Sequence, residues 1–284
     1  MKPIHRALVS MTKYRVSLVA VLAALSACGG GGSGGGQTTS AAAPFPGVYQ
    51  WTFPEGARQD VSSLNLFPFN NGDRVDFDRS TGGVTDGTVT RAFSFPPGVT
   101  STIYIVTETD STVPGTVDQT KYQVSSITGL GFSVDIDDPL AAAGSAPGLF
   151  NTVPVLEEYV APLYPTGSTR SLEAQGDLGA DADSDGKSDS YRFTYSQVLR
   201  GFETLDVLGA QRQVAHFSNA VSLTIRYTTG KPDSTVSSTE ETYFAPGIGL
   251  VKRDSGASVR DGAVVAPAYS MVARSATVAG VTYP

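Results

Sequence analysis

Apolar and polar residues alternate along well-separated segments of this chain, and the alternation restricts the fold more than any other sequence feature. Phe132, Val134 and Ile136 alternate with polar neighbours, and residues 191–196 and 221–227 repeat this period of two. Successive side chains of a β-strand point to opposite faces, so the pattern predicts antiparallel strands with one buried and one solvated face. Further strands are predicted at residues 48–53, 74–77, 88–95, 102–109, 122–127, 168–174, 213–217 and 242–252.

Turn residues separate these segments, for example Asn71-Gly72, Gly82-Gly83 and Pro97-Gly98. Such pairs set up tight turns, because glycine and asparagine tolerate positive φ and proline fixes φ near −65°. Beyond the N-terminal region no segment sustains a helical period over twelve residues, although residues 138–143 could form one helical turn. We therefore predict a mainly β protein with an antiparallel sheet, built as a curved half-barrel or a sandwich.

A weak internal repeat bears on domain organisation. Residues 66–73 and 162–168 both place an apolar pair before proline and a glycine soon afterwards, and each precedes a long block of predicted strands. This repeat would suit two similar β halves, residues 47–160 and 161–284. Proline followed by glycine is also ordinary punctuation in β proteins, which favours one β domain over residues 47–284.

The N-terminus has the layout of an export signal. Basic residues precede residues 16–25, a run of ten uncharged and mainly apolar residues, which is too short to span a bilayer but suits a signal peptide. The run ends in Leu25-Ser26-Ala27-Cys28, which resembles the lipobox of bacterial lipoproteins. The resemblance implies that residues 1–27 are removed and that Cys28 carries diacylglyceryl and fatty acyl chains such as palmitate. An ordinary secretory signal is the alternative, and translation could start at Met1 or Met11.

Residues 28–46 follow the predicted cleavage site and begin with seven glycines and Ser33 after Cys28. A glycine-rich chain without large apolar side chains does not offset its ordering entropy, so we predict a flexible tether with a reach of roughly 20–25 Å. Gly29 stands where Asp would retain a lipoprotein in the inner membrane. The resemblance therefore implies the outer membrane, with the membrane as a partner through the lipid anchor.

Charge and cysteine content exclude other classes of protein. The chain has 20 Lys and Arg against 27 Asp and Glu, a net charge of −7, and becomes −11 once the four basic residues of positions 1–27 are removed. No basic cluster remains to bind a phosphate backbone, so we expect no nucleic-acid partner. Cys28 is the only cysteine, which excludes an intrachain disulfide and a cysteine-rich zinc site.

Residues 241–252 carry the sequence Glu-Thr-Tyr-Phe-Ala-Pro-Gly-Ile-Gly-Leu-Val-Lys. Its core, Y-F-A-P-G-I-G-L-V, resembles the closing strand of uncharacterised bacterial envelope lipoproteins. The resemblance implies a curved antiparallel sheet and no established chemistry. Physically, Pro246 and the two glycines predict a bulge or bend at which this strand changes direction.

Residues 181–189 read D-x-D-x-D-G-x-x-D and contain the most specific chemical pattern of the chain. Ca²⁺ takes six to eight oxygen ligands, and alternate carboxylates of a tight loop can converge on one ion, with Gly186 allowing the sharp turn. The pattern resembles the first nine positions of an EF-hand loop. The predicted calcium ligands are Asp181, Asp183, Asp185, the carbonyl of Lys187, and Asp189.

The pattern departs from the EF-hand loop at its twelfth position, where Arg192 replaces the bidentate glutamate. Asp177 or Glu173 could supply the missing oxygen. No flanking helices are predicted, so the loop would join two strands. The alternative is a solvated acidic turn without an ion.

Catalytic patterns are weak in comparison. His216 lies on a predicted strand, where a structural histidine is the simpler interpretation, and residues 144–148 lack the spacing of a G-x-S-x-G nucleophile turn. Asp254-Ser255-Gly256-Ala257 resembles an aspartic-protease loop, but no second copy exists to form the required carboxylate pair. Glu157-Glu158 and Glu240-Glu241 are adjacent pairs, whose members point to opposite faces of a strand.

Two function classes are consistent with these observations. The first is a membrane-anchored envelope lipoprotein whose non-catalytic β domain binds a ligand or protein partner, with a loop ordered by Ca²⁺. The second is a cell-envelope hydrolase with an unrecognised active site. We expect the first, because the sequence contains no recognisable nucleophile or histidine pair.

Overall fold

The computed structural model describes residues 47–52, 66, 70–95, 103–115, 117–124, 131–135, 166–177, 181 and 183–284. Predictions for the signal peptide, Cys28, the tether, the helical turn at 138–143 and the Glu157-Glu158 pair lie outside these residues. All regular structure in the described part is β, which confirms the predicted fold class. None of the described segments is a helix that could cross a membrane.

Fifteen strands of the described residues form one antiparallel sheet. The strands are β1 (Gly47–Thr52), β2 (Arg74–Thr81), β3 (Val84–Ser94), β4 (Ile103–Asp110), β5 (Val117–Val124), β6 (Gly131–Asp135), β7 (Thr169–Asp177), β8 (Ser190–Val207), β9 (Ala210–Arg226), β10 (Ser234–Ala245), β11 (Gly249–Ser255), β12 (Ser258–Arg260), β13 (Ala263–Ala266), β14 (Tyr269–Val278) and β15 (Val281–Tyr283).

The strand order is β1-β7-β8-β9-β10-β11-β14-β2-β3-β4-β5-β6, with β12 and β13 extending the β10–β11 hairpin and β15 pairing with β14. Strand β1 pairs with β7, and β2 pairs with β14. Strands that follow position 160 therefore lie between β1 and β2, two strands that precede it, within one continuous sheet. The longest pair, β8 with β9, runs from Ser190↔Arg226 to Val207↔Ala210 with one bulge near Gly201.

Alternation along β8 and β9 produces the main core. Phe193, Tyr195 and Leu199 of β8 are buried on one face, opposite Leu223, Val221 and Phe217 of β9. The intervening side chains are partly exposed on the other face. We call the buried side the core face and the partly exposed side the outer face. Leu199 and Phe217 belong to one hydrophobic cluster with Phe77 of β2 and Val89 of β3.

The core face also contains buried charges. Arg253 of β11 forms ion pairs with Glu240 of β10 and Glu108 of β4, both at 3.0 Å. Arg79 of β2 is fully buried and contacts the carboxylate of Asp110 at 3.2 Å. Buried ions require partners of opposite charge to offset their desolvation, and the Arg253–Glu108 pair joins strands that are not neighbours in the sheet.

One local prediction is corrected by the structure. Residues 242–252 were expected to form a single bent strand, but β10 ends at Ala245 and β11 begins at Gly249. Gly247 has a φ of 75° and Gly249 a φ of 95°, so the glycines permit a complete reversal of the chain. A bulge does occur, between Tyr243 and Phe244 just before the turn. The motif is therefore a hairpin and not a closing strand.

Candidate calcium site

The acidic loop connects β7 to β8, two strands that remain paired up to Asp177 and Ser190. Antiparallel pairing holds the two ends of the loop side by side, so the loop must reverse direction within residues 178–189. Ser184 has a φ of 66° and Gly186 a φ of 87°, both in the left-handed region. Glycine adopts this region freely, which explains the glycine at the sixth position of the loop.

Asp181 organises the loop by accepting backbone hydrogen bonds. Its Oδ1 accepts from the amides of Ser184 at 2.6 Å and Asp185 at 3.1 Å, and its Oδ2 accepts from the amide of Gly186 at 2.7 Å. These bonds favour the ionised form, so they lower the pKa of Asp181, with the Gly186 amide as the largest cause. The carboxylate is consequently charged and fixed in position at neutral pH.

Three carboxylates converge in the loop. Asp181, Asp183 and Asp189 each present an oxygen, and these atoms lie within 4.8 Å of one another. Ligand oxygens on opposite sides of one Ca²⁺ are separated by about 5 Å, because each lies 2.3–2.6 Å from the ion. The spacing therefore fits a shared cation, and the hard oxygen ligands suit Ca²⁺ chemically.

The Oδ1 atom of Asp183 gives a second argument for a bound cation. Its Oδ1 is buried and has no hydrogen-bond partner among the described residues. A buried carboxylate oxygen without a partner is costly, because it loses hydration and receives nothing in exchange. A cation bound between the three carboxylates would remove this cost.

The turn between β9 and β10 donates hydrogen bonds to the aspartates of the acidic loop. The Thr228 amide donates to Asp189 Oδ1 at 2.9 Å, and the Thr228 hydroxyl donates to Asp185 Oδ2 at 2.6 Å. The Thr229 hydroxyl donates to Asp183 Oδ2. The two threonines therefore orient three of the four loop aspartates.

The structure separates the predicted ligands into two groups. Asp181, Asp183 and Asp189 converge, whereas Asp185 is not part of the cluster and accepts from the Lys187 amide at 2.9 Å as well as from Thr228. Lys187 is exposed. Glu173 is engaged by Arg192, whose Nε lies 2.9 Å from its carboxylate, so it does not complete the cluster. The side chain of Asp177 falls outside the described part of the chain.

Thr228 and Thr229 were missed in the sequence analysis. They lie about forty residues after the loop in the sequence, and only the β8–β9 register, with Ser190 opposite Arg226, places them beside it. The available signal was Thr228-Thr229-Gly230 directly after a predicted strand. That pattern indicates a turn but identifies no partner.

The other titratable candidates form ion pairs with neighbouring residues. His216 Nε2 lies 2.7 Å from Glu241 and Nδ1 lies 3.0 Å from Glu203, so its ring connects β8, β9 and β10 on the outer face. The ring also stacks on Tyr243 with 4.3 Å between centroids. Asp254 contacts Lys252 at 2.8 Å.

An open groove lies on the outer face of the sheet. It has a volume of about 890 Å³ and is lined by strands β7 to β10 and β12. The lining side chains are mostly small, half of them belong to serine or threonine, and Glu173 supplies one carboxylate. They include Ser171, Thr194, Ser196, Ala220, Ser222 and Thr239.

Comparisons with known proteins give a distant likeness only. No family model matches the chain, and no curated protein matches it. A protein from Bacteroides fragilis NCTC 9343, described as exported and as having a YmcC-like fold, is similar in structure at 13% identity and a TM-score of 0.37. The match covers 73% of this chain and 96% of that chain.

A second solved structure is described as a lipoprotein from Parabacteroides distasonis ATCC 8503. It is 12% identical, with a TM-score of 0.35, and the match covers 74% of this chain and 97% of that chain. These descriptions belong to the neighbours, and a likeness this distant transfers no function to the present chain.

Proposed function

We propose that this chain is a lipid-anchored protein of the bacterial envelope, whose non-catalytic β domain binds a partner and is stabilised by Ca²⁺ in the β7–β8 loop. Two observations carry the calcium proposal: Asp181, Asp183 and Asp189 converge, and Oδ1 of Asp183 is buried without a hydrogen-bond partner among the described residues. The envelope location rests on the lipobox ending at Cys28.

Calcium would act here as a structural clamp. The loop joins β7 to β8, and its aspartates are held by the β9–β10 turn, so one ion would fasten two strand connections together. The loop lacks the bidentate glutamate of an EF-hand, so we expect a Kd on the order of 10⁻⁴ to 10⁻³ M. A flexible set of carboxylates favours Ca²⁺ over Mg²⁺, which demands a near-ideal octahedron.

Isothermal titration of the chain with CaCl₂ tests the site. Wild type should bind one ion in the stated range, and Asp183→Asn should weaken binding by at least tenfold, on the order of 1.4 kcal/mol. Asp233→Asn is the matched control, because Asp233 lies in the β9–β10 turn and, within the described part of the chain, pairs only with Arg226, at 3.8 Å. Equal affinities of wild type and Asp183→Asn would refute calcium binding in this loop.

The lipid anchor has an independent test. Changing Cys28 to Ser removes the only thiol of the chain, so the variant should accumulate as an unprocessed precursor or as a soluble form. Mass spectrometry of the wild-type N-terminal peptide should find acylation at Cys28. Density separation of inner and outer membranes then tests the outer-membrane location. Normal processing and unchanged membrane fractionation of the serine variant would contradict the anchor.

The groove on the outer face supports partner binding in preference to catalysis. Its lining offers hydroxyl groups from short side chains, and its carboxylate, Glu173, is paired with Arg192. Such a surface can hydrogen-bond to a partner but does not bring together the acid and base of a hydrolase.

Affinity capture from detergent-solubilised envelopes tests partner binding through this groove. Wild type should be compared with Ala220→Phe, which fills the groove, and with Val272→Phe, which adds the same bulk on β14 outside it. A partner lost only with Ala220→Phe supports the groove. A partner retained equally by all three proteins contradicts it.

A further inference from the structure

The imidazole ring of His216 lies between two carboxylates on the outer face. Its Nδ1 is 3.0 Å from Glu203 of β8, and its Nε2 is 2.7 Å from Glu241 of β10. Both ring nitrogens are therefore within hydrogen-bond distance of a carboxylate oxygen. The side chain is 22% exposed, so solvent screens these contacts only in part.

Two carboxylate contacts require two protons on the ring. A neutral imidazole carries one N–H and one lone pair, and an ionised carboxylate accepts hydrogen bonds but donates none. In either neutral tautomer, one of the two carboxylates would therefore face a nitrogen lone pair and be repelled. Only the imidazolium ion, with an N–H on each nitrogen, can donate to Glu203 and Glu241 together.

The charges around the ring also favour its protonated form. Lys252 and Asp254 of β11 form an ion pair at 2.8 Å, and the Lys252 ammonium lies 4.6 Å from the centroid of Tyr243, on which the His216 ring stacks. Burial raises the pKa of the Tyr243 hydroxyl, so this side chain adds no charge at neutral pH.

One more basic group belongs to this cluster, because Arg200 of β8 donates to the hydroxyl of Ser218 at 3.3 Å. The charged side chains connected to His216 by these contacts are Glu203, Glu241, Asp254, Lys252 and Arg200. Three carboxylates thus stand against two basic groups, and a second proton on His216 balances their charges.

The two carboxylates are held unequally. Glu241 also accepts a hydrogen bond from the Ser218 hydroxyl at 2.8 Å. Glu203 is more exposed, 44% against 37%, and within the described part of the chain its ion pair is with His216 alone. Loss of one ring proton would therefore leave Nε2–H bonded to Glu241 and release Glu203.

Glu203 lies at the start of the far part of the β8–β9 hairpin. It follows the bulge at Gly201, the residue that pairs with His216. Beyond the bulge the hairpin continues to Val207 and Leu208, which are buried in the hydrophobic core. The contacts of His216 therefore connect this far part of the hairpin to β10.

We propose that His216 is a proton-dependent clamp: as an imidazolium ion it joins Glu203 to Glu241, and loss of the Nδ1 proton releases Glu203. The charge on one ring thereby controls how firmly the hairpin beyond Gly201 is held to β10. The clamp is independent of calcium in the acidic loop and of the lipid anchor.

NMR titration of the full chain tests the clamp, with ¹⁵N in the histidine rings and ¹³C in the glutamate carboxyl groups. His216→Gln and Glu203→Gln identify the two signals. At low pH both ring nitrogens of His216 should be protonated. As pH rises, Nδ1 should lose its proton, and the carboxyl signal of Glu203 should shift with the same midpoint. Glu173, an exposed carboxylate paired with Arg192, is the control and should show no shift at that midpoint.

The glutamine variants give the second readout. Glu203→Gln removes the anion beside Nδ1, so His216 should lose its proton at a pH about one unit lower than in wild type. Glu173→Gln should leave the midpoint unchanged. A ring that carries one N–H throughout the folded range, an Nδ1–H tautomer at high pH, or a Glu203 signal that ignores the titration of His216 overturns the clamp. Equal midpoints in wild type and Glu203→Gln also overturn it.

Discussion

The Thr229 hydroxyl donates a hydrogen bond to Oδ2 of Asp183, whereas the other oxygen of that carboxylate is buried without a partner among the described residues. The turn after β9 thus holds one oxygen of Asp183, a residue whose carboxylate converges with those of Asp181 and Asp189. This arrangement suits a cation ligand held in place by a neighbouring hydroxyl, and it connects the stability of the loop to that of the β9–β10 turn.

Thr229→Val should weaken calcium binding by several-fold, because the isosteric side chain no longer orients Asp183, a loss of about 1 kcal/mol. The matched control is Thr224→Val, which removes a hydroxyl bonded to Thr235 at 3.0 Å between β9 and β10, the two strands that this turn connects. The control should lower stability slightly and leave calcium affinity unchanged. Isothermal titration of the three proteins checks this, and identical affinities would contradict the role of Thr229.

Asp181 should titrate below the ordinary range of an aspartate in the calcium-free protein. Three backbone amides stabilise its charged form, so its folded pKa is lowered. The resulting stabilisation is present above the unfolded pKa of about 3.9 and is lost as pH falls through the lowered folded value. Carboxyl ¹³C NMR from about pH 2 to about pH 6, a range that includes the pKa of an ordinary aspartate, measures the titration midpoint of Asp181 directly. A midpoint at or above the ordinary value would contradict the hydrogen bonding.

Glu240 and Glu241 are adjacent in sequence but should differ strongly in their effect on stability. Glu240 is almost fully buried against Arg253, while the side chain of Glu241 is 37% exposed beside His216. Glu240→Gln should therefore cost about 3 kcal/mol, because it leaves a buried arginine short of one anion. Glu241→Gln should cost about 0–1 kcal/mol. Urea unfolding of both variants provides the comparison, and equal losses would contradict the two-faced arrangement.

Close packing against Thr239 explains the glycine at position 256 of the Asp-Ser-Gly-Ala sequence. A Cβ at this position would lie 2.6 Å from Thr239 Oγ1 and 3.2 Å from the Thr239 carbonyl. Gly256→Ala should therefore destabilise the domain by about 1–3 kcal/mol, since the backbone must move. Thermal unfolding tests this, and an alanine variant as stable as wild type would show that the β11–β12 junction is looser than described.

The class of fold could be predicted from the sequence because alternation has a direct physical meaning. The period of two in residues 191–196 lies within β8, and that in residues 221–227 lies within its partner β9 except for Tyr227. The lengths of these strands were underestimated, because the bulge beside Gly201 shifts the alternation by one residue. The sheet order could not be predicted, since pairs such as β14 with β2 join segments almost two hundred residues apart.

The candidate site was predicted in part for a similar reason. Spacing within the loop predicted that Asp181, Asp183 and Asp189 lie together, because those residues are close in sequence. Asp185 was predicted in the same group; its Oδ2 accepts from the Thr228 hydroxyl, and its role as a ligand stays a prediction. No local pattern could anticipate that bond, because it depends on the register between β8 and β9.

Calorimetric melting tests calcium binding in the loop most directly. Wild type and Asp183→Ala are unfolded with CaCl₂, with MgCl₂, and with NaCl at matched ionic strength. At 1 mM Ca²⁺ and a Kd of about 0.1 mM, linkage gives roughly 1.4 kcal/mol, which for a domain of this size raises Tm by about 3–6 °C. We predict this rise for wild type in calcium only and its loss in Asp183→Ala. An equal rise with MgCl₂ or NaCl, or a full calcium shift retained by Asp183→Ala, would show that the loop is an acidic turn without a specific ion.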